Sequence, residues 1–327
     1  MKPNQRTQPI KVGVIGVGSM GQHHARVYSE LPETELVAIV DINNKQARLV
    51  AEQYRTTVMD REQLLNQIEA VSIAVPTRSH YQLANDCIEH GVDVLIEKPL
   101  VMDPEKGAQL IRHADANSVT IQVGHVEQFN PVMDALSNLL PGLSVISLRA
   151  QRLGPPVERI IQDSVVFDLM IHDIDIVTSL LGEEPTAVNA VGTRENDHVT
   201  ANLQFPSSTV GTLIASRATQ REVRTLEITT KDRLVSADFV DRTLKVYRGS
   251  LPESVHRYSD EQYQGQQIIE QLTVTNEEPL QRELRSFIEV VASDGTPHVS
   301  ATQALQAVKL ARRIDEQAKA TTEASSH

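Results

Sequence analysis

Asp168, His172, Asp175 and Ser179 are spaced four, three and four residues apart within VVFDLMIHDIDIVTSLLG, a stretch that is otherwise apolar. At helical pitch they share one face. A helix that is apolar nearly all round is expected to be buried, and burying carboxylates and an imidazole is costly unless they are paired or face a wet cleft. In a cleft, His172 is the residue type suited to taking a hydroxyl proton at neutral pH, with Asp168 to orient it. A satisfied core network would give the same stripe.

Glu97-Lys98-Pro99 follows the apolar run Val92–Ile96. If that run is a strand of an open α/β sheet, Lys98 lies at its carboxyl end, where such sheets bind ligands. An ammonium there can stabilise an alkoxide as it develops; a plain surface lysine is the competing reading. A metal site built on Asp168 and His172 has no evident third ligand, and Lys98 nearby would repel the cation, so no metal is expected.

Gly16-Val17-Gly18-Ser19-Met20-Gly21 has the form G-x-G-x-x-G, directly after a strand pattern and at the start of a helical one. Gly16 permits the tight turn, Gly18 lets backbone approach a pyrophosphate, and Gly21 lets helix and strand pack closely. Ser19 and Met20 open the helix, where free N–H groups and the positive dipole end attract phosphate. Asp41 lies 20 residues beyond Gly21, where a carboxylate binds the ribose hydroxyls of the adenosine half and repels a 2′-phosphate. The expected cofactor is NAD, with Lys45 the nearby basic residue that could still take a 2′-phosphate.

These residues need particular elements to hold them. Strand patterns at Ile10–Ile15, Leu36–Asp41, Val71–Val75, Val92–Ile96 and Thr120–Val123 alternate with helical patterns at Met20–Ser29, Lys45–Tyr54, Arg61–Gln67, Tyr81–His90 and Pro104–Ala114. Such alternation predicts a parallel sheet between two helical layers, over residues 1–123. Beyond it, helices are expected at Pro131–Leu140, capped by Asn130, and at Val165–Leu181, stopped by Gly182. Strand patterns without intervening helices follow at Thr186–Thr193, Val199–Phe205, Thr209–Ser216, Arg224–Thr230, Leu234–Phe239 and Thr243–Tyr247. Helices at Pro279–Ala292 and Ala301–Ala318 end the chain, and Gln262–Gln271 reads as a surface loop or edge. The expected fold class is α/β: an N-terminal Rossmann dinucleotide-binding domain, then an α+β domain over 124–327 with a large, mostly antiparallel sheet.

Composition sets the outer bounds. The chain has 327 residues, a net charge of −12, 40% hydrophobic residues and one cysteine, Cys87. The charge argues against general nucleic-acid binding, which needs a basic surface. A lone cysteine excludes an intrachain disulfide framework, and Cys87 reads as a small buried hydrophobe. No run approaches the ~18 apolar residues of a membrane span, and residues 1–9 have no apolar signal core, so the cytoplasm is the expected compartment.

The ordered set Gly16-x-Gly18-x-x-Gly21, Asp41, Glu97-Lys98-Pro99 and Asp168-x-x-x-His172 resembles the Gfo/Idh/MocA oxidoreductase family over essentially the whole chain. The resemblance implies that Lys98, Asp168 and His172 line a substrate site beside the nicotinamide of NAD. It implies cofactor contacts at Pro76, His80 and Glu97 as well, and a Lys98–Pro99 peptide that is often cis. For His80 a structural role at a helix start is the equal alternative.

A narrower resemblance lies in Val123–Pro131 (VGHVEQFNP), Arg152–Pro156 (RLGPP) and Asp168–Asp175 (DLMIHDID), which are similar to UDP-N-acetylglucosamine 3-dehydrogenases. It implies a UDP-sugar substrate oxidised at its 3-hydroxyl and a downstream aminotransferase that uses the ketone for a 3-amino sugar of lipid A. Glu127 and His125 are then candidate sugar contacts, and Arg152 and Arg159 a clamp for the diphosphate, with solvated loop arginines the alternative. Gln128 departs from the basic residue expected there. Another sugar or an inositol would suit the same machinery, and a non-catalytic NAD-binding regulator is the reading from a different class. Apolar residues recurring on the second-domain strands imply a homodimer or homotetramer.

Overall fold

The computed structural model describes residues 8–156, 164–249, 267–293 and 295–324. The first part runs β1 (Ile10–Ile15), α1 (Ser19–Glu30), β2 (Thr34–Val40), α2 (Asn44–Gln53), β3 (Thr57–Val58), α3 (Arg61–Leu65), β4 (Ala70–Ile73), α4 (His80–Glu89), β5 (Asp93–Glu97), α5 (Pro104–Ala116) and β6 (Ile121–Gly124). The six strands form one parallel sheet in the order β3-β2-β1-β4-β5-β6, the doubly wound arrangement expected from the sequence. Apolar side chains fill both faces. One layer holds Leu64, Ala84, Ile88 and Leu110, and the other Ala25, Val27, Tyr28 and Val50. Cys87 is buried in the first layer, which pushes its thiol up to about 12. The two-residue β3 at the sheet edge has no sequence signal of its own.

Asn130 opens the second part as expected, its side chain accepting from Val132 N at 3.2 Å to cap α6 (Pro131–Leu139). Then comes a strand the sequence pattern did not announce, β7 (Val145–Leu153). After a π-helical turn at Val166–Met170, α7 (Ile171–Leu181) ends at Gly182 with φ +65°. The remaining strands are β8 (Ala187–Gly192), β9 (His198–Gln204), β10 (Val210–Ser216), β11 (Val223–Thr230), β12 (Arg233–Asp238), β13 (Thr243–Gly249) and β14 (Gln267–Leu272). Together with β7 they form an eight-stranded sheet, order β14-β13-β12-β11-β7-β10-β9-β8. All neighbours are antiparallel except β7 and β10.

The omission of β7 has a definite cause. Its inward positions are Leu148, Ala150 and Arg152, so a charged residue stands where alternation calls for an apolar one. That arginine is 4% exposed and paired inside the unit with Asp173. Part of the Gln-rich segment becomes the edge strand β14, and its earlier residues lie outside the described chain.

The chain then returns through α8 (Pro279–Ser293) and α9 (Ala301–Ala324). The compact units are Met1–Phe129 with Glu277–Lys309, and Asn130–Asn276 with Leu310–His327. This corrects a division at 123/124 that assigned everything after it to one domain. Leu280, Leu284, Phe287 and Ile288 recur at i, i+4, i+7 and i+8, and that stripe completes the core layer around α1 and α2. Each such side chain contributes ~1.5–3 kcal/mol by burial, so α8 follows its apolar face rather than its position in the sequence. Ser300 bridges Gln122 in β6, and Ala304 and Leu305 of α9 join the opposite layer.

The same face of α8 buries Glu283 completely, and neither carboxyl oxygen has a hydrogen-bond partner among the described residues. Burial first, and the negative charge of Glu97 second, raise this carboxyl well above the ordinary range, so it is protonated in the fold. A group raised on folding contributes fully only below its unfolded value of about 4.3, and its contribution falls as pH climbs towards the folded value. Glu283→Gln removes that dependence. Denaturant or thermal unfolding from about pH 5 to about pH 8 should show the variant gaining on the wild type as pH rises, by ~2–4 °C or more in Tm. A constant difference across the range contradicts a buried neutral acid at this position.

Candidate active site

In the parallel sheet, β1 is flanked by β2 and β4, where the strand order reverses, so the loops after β1 and β4 border the crevice such sheets use for ligands. The loop after β1 is the glycine turn. Gly16 has φ +88°, and a Cβ there would lie 2.5 Å from Val75 Cγ1 and 2.6 Å from the Ala74 carbonyl oxygen. A Cβ on Gly21 would lie 1.8 Å from the Gly16 carbonyl oxygen, so no larger residue lets α1 pack this close. Gly18 has open space where a side chain would stand, and Gly18, Ser19 and Met20 are exposed. The first turn of α1 contains no acidic residue, and Gly18 gives no side-chain cap. Its amides therefore stay available to an anion.

Asp41 follows β2, and its carboxylate has a second duty. Oδ2 accepts from Val17 N and Oδ1 from Asn43 N, both at 2.7 Å, which ties the glycine turn to the end of β2. A carboxylate offers about four acceptor sites, so two ribose hydroxyls can still be served. Lys45 is exposed at the start of α2. The cradle, the open Gly18 and the distal acid together fit the dinucleotide expected from the sequence.

Glu97 ends β5, Lys98 is half-buried, and the Lys98–Pro99 peptide is cis. Glu97 Oε1 lies 2.8 Å from His24 Nε2. Burial acts to raise this carboxyl, but the His24 hydrogen bond and the electrostatic influence of His24, Lys98 and His80 outweigh it and hold the group below its ordinary range. Glu97 is a carboxylate, mostly buried, beside a lysine. His24, from α1, is therefore the partner of the E-K-P motif. No local pattern links residues 73 positions apart.

Pro76 is exposed at the loop after β4. His80 is not: it is 1% exposed, with Nδ1 3.0 Å from the Pro99 carbonyl oxygen and Nε2 2.8 Å from that of Val75. Burial lowers its pKa despite these acceptors. Each ring nitrogen faces a backbone carbonyl, to one of which a neutral imidazole donates, so the geometry favours the structural alternative for His80 over a cofactor contact. It pins the E-K-P turn to the loop after β4. His125 and Glu127, at the end of this unit, are also buried.

In the second unit Asp168 lies within the π-helical turn and His172 is the second residue of α7, both half-buried. The wider turn means that the step from Asp168 to His172 is not the four-residue step of a regular helix. Further along, Asp175 is buried and Ser179 exposed, so the stripe expected from spacing runs from half-buried through buried to open solvent. Asp168 Oδ2 is 3.5 Å from Arg217 Nη1, and Arg217 Nη2 is 3.2 Å from Asp197 Oδ1. Arg217 carried no sequence signal beyond ending a strand pattern.

Arg152 corrects another expectation. It is a residue of β7, not of the loop, and its Nε and Nη2 lie 3.1 and 2.9 Å from Asp173 Oδ1. An arginine buried against a carboxylate braces α7 on the sheet, and a diphosphate would have to compete with that ion pair. Arg159 lies outside the described residues. Among the described residues no group of three or more His, Cys, Asp or Glu is placed to hold a metal ion, and no helix is long and apolar enough to cross a membrane.

Known proteins resemble this chain in sequence and in fold. Residues 10–125 match the oxidoreductase family with an NAD-binding Rossmann fold, GFO_IDH_MocA, and residues 150–234 match the GFO/IDH/MocA C-terminal domain. UDP-N-acetylglucosamine 3-dehydrogenase of Acidithiobacillus ferrooxidans is 35% identical over 251 residues, covering 74% of this chain and 79% of that one. The structure of that enzyme, GnnA, superposes with a TM-score of 0.86 over 95% of this chain and 98% of its own, at 29% identity. Inositol 2-dehydrogenase 4 of Saccharopolyspora erythraea is 28% identical, covering 60% of this chain and 61% of its own. With the glycine cradle, the E-K-P turn and both family domains in place, the chain belongs to the Gfo/Idh/MocA family of NAD-binding oxidoreductases.

Proposed function

We propose that this enzyme oxidises the 3-hydroxyl of UDP-N-acetylglucosamine to the ketone, for use by an aminotransferase that makes a 3-amino sugar for lipid A. The reading rests on similarity, in sequence and over the whole fold, to an enzyme of that name. Bound NAD supplies the hydride acceptor. Gly16, Gly18 and Gly21 give the pyrophosphate its approach to the amides of Ser19 and Met20, and Asp41 holds the adenosine ribose. Pro76 and Glu97 lie along the same crevice. His172 takes the hydroxyl proton, Asp168 orients the imidazole, and Lys98 stabilises the oxygen as its negative charge grows. Glu127 and Arg159 are assigned to the substrate, and Arg152 to holding α7.

A second reading, an inositol or unactivated sugar as substrate, is favoured by two observations. Gln128 is buried where a basic residue was expected, and Arg152 is engaged by Asp173. Both remove candidate partners for a diphosphate. Self-association through the second-unit sheet also belongs to the proposal, since Ile146, Val191 and Val210 are exposed on its strands.

The deciding assay couples NAD reduction with UDP-N-acetylglucosamine to a 3-aminotransferase and glutamate, because alcohol oxidation by NAD is unfavourable at neutral pH. A 3-amino nucleotide sugar should form with the wild type and fail to form with Lys98→Ala. His172→Ala should lower kcat by ~10²–10⁴ and leave NADH affinity unchanged. Turnover of myo-inositol but not of the nucleotide sugar selects the second reading. For the cofactor, Asp41→Ala should weaken NADH binding ~10-fold, about 1.4 kcal/mol, and also lower Tm, since it releases Val17 N. An equal loss for NADH and NADPH would show that Asp41 serves the turn alone.

A further inference from the structure

Beneath the E-K-P turn, within the first unit, runs a chain of polar groups sealed from solvent. Tyr28, Ser72 and His24 are each fully buried. Tyr28 Oη lies 2.9 Å from Ser72 Oγ, Ser72 Oγ lies 3.0 Å from His24 Nδ1, and His24 Nε2 lies 2.8 Å from Glu97 Oε1. The direction of the chain follows from its end. A carboxylate only accepts, so His24 Nε2 donates to Glu97. The Ser72 hydroxyl bridges His24 Nδ1 and the Tyr28 hydroxyl. Burial pushes the Tyr28 phenol up, so it keeps its proton and stays a donor.

Space is reserved for the carboxylate as well. Gly124 pairs with Glu97 across the sheet, and a Cβ on Gly124 would lie 3.2 Å from Glu97 Cα, Cδ and Oε2 alike. The titratable groups facing Glu97 are His24 of α1, His80 of α4, Glu283 of α8, and its neighbour Lys98. Glu283 is neutral, so the acidic pair carries one negative charge, which sits on the residue next to the lysine.

We propose that His24 is a positioning residue that acts through Glu97, fixing a single buried carboxylate beside Lys98 so that the lysine remains an ammonium over the working pH range. The proposal rests on the reading that Lys98 serves the reacting hydroxyl, and it extends that reading to a residue that touches neither cofactor nor substrate. An ammonium half-buried at a cofactor crevice is otherwise at risk of losing its proton to desolvation. The fixed counter-charge offsets this. His24→Leu removes the donor to Glu97, whereas His24→Gln returns an N–H near the position of Nε2.

Trace acetylation of the full-length chain with acetic anhydride across pH, with Lys98 followed by mass spectrometry, reads the charge of this lysine without any substrate. In Glu97→Gln and His24→Leu, Lys98 should become reactive at a pH lower by about one unit, the shift expected on losing a nearby opposite charge. His24→Gln should restore most of the wild-type profile. An unchanged profile in Glu97→Gln overturns the counter-charge, and an unchanged profile in His24→Leu, or no recovery in His24→Gln relative to it, overturns the role of His24. If the leucine variant does not fold, Glu97→Gln and His24→Gln carry the test, since the first must shift and the second must not. The alkaline limb of kcat/KM should move with the labelling profile. Labelling that shifts while the rate profile stays put leaves the wiring intact and sinks instead the reading of Lys98 as the group serving the hydroxyl.

Discussion

A carboxylate placed at the end of a central parallel strand is the constraint around which the first unit is arranged. Taking Glu97 out of water costs several kcal/mol unless charge and hydrogen bonds replace the lost solvation. The replacements come from distant parts of the chain: His24 from α1, backed by Ser72 of β4 and Tyr28 of α1, and the empty side of Gly124 in β6. A second acid, Glu283, comes from α8, and burial first and the Glu97 charge second raise its carboxyl well above the ordinary range. Together they surround the carboxylate that stands beside Lys98. The glycine turn is held to the sheet in a similar way, through the Asp41 carboxylate and the Val17 amide.

Much of the fold was legible because local physics dictates it. The six-residue glycine motif, the Asn130 cap and the Gly182 stop each have one dominant structural reading, and each is present. The doubly wound sheet followed from apolar runs long enough to be strands buried on both faces. What the sequence hid was pairing at long range. Arg152 looked like a loop arginine because its partner Asp173 is 21 residues away on another element, and that pair also masked the strand containing it. Glu277–Lys309 looked like the end of one domain because nothing local says which sheet an amphipathic helix will cover. The π turn at Val166–Met170 is similarly invisible to a 3.6-residue period, so the Asp168 to His172 step was drawn on the wrong pitch.

The candidate site divides along the same line. Its cofactor half was readable from spacing, because approach to a pyrophosphate demands glycines at fixed offsets. The residues proposed for its substrate half were chosen by type, and spacing said nothing of their environment. Spacing placed Asp168 and His172 near each other in sequence, but only the structure ties Asp168 to Arg217 and, through it, to Asp197. Asp168 is therefore tied to an arginine that spacing gave no reason to notice. For His80 the sequence left cofactor contact and a structural role equally open, and the carbonyls of Pro99 and Val75 beside its ring favour a brace for the E-K-P turn.

Buried ion pairs are weak evidence for stability, because well-packed apolar residues of equal volume often serve as well. The buried pairs described above, His24 hydrogen-bonded to Glu97 and Arg152 ion-paired with Asp173, differ in what an apolar replacement would remove. Replacing Arg152 and Asp173 together would leave a sheet and a helix that still pack, at the loss of a fixed register between β7 and α7. Replacing His24 and Glu97 together would leave a sound Rossmann sheet but remove the carboxylate that stands beside Lys98. The first pair is thus explained by the placement of a helix and the second by the charge of a neighbouring residue. This is why the second, though no better formed, bears more directly on the chemistry.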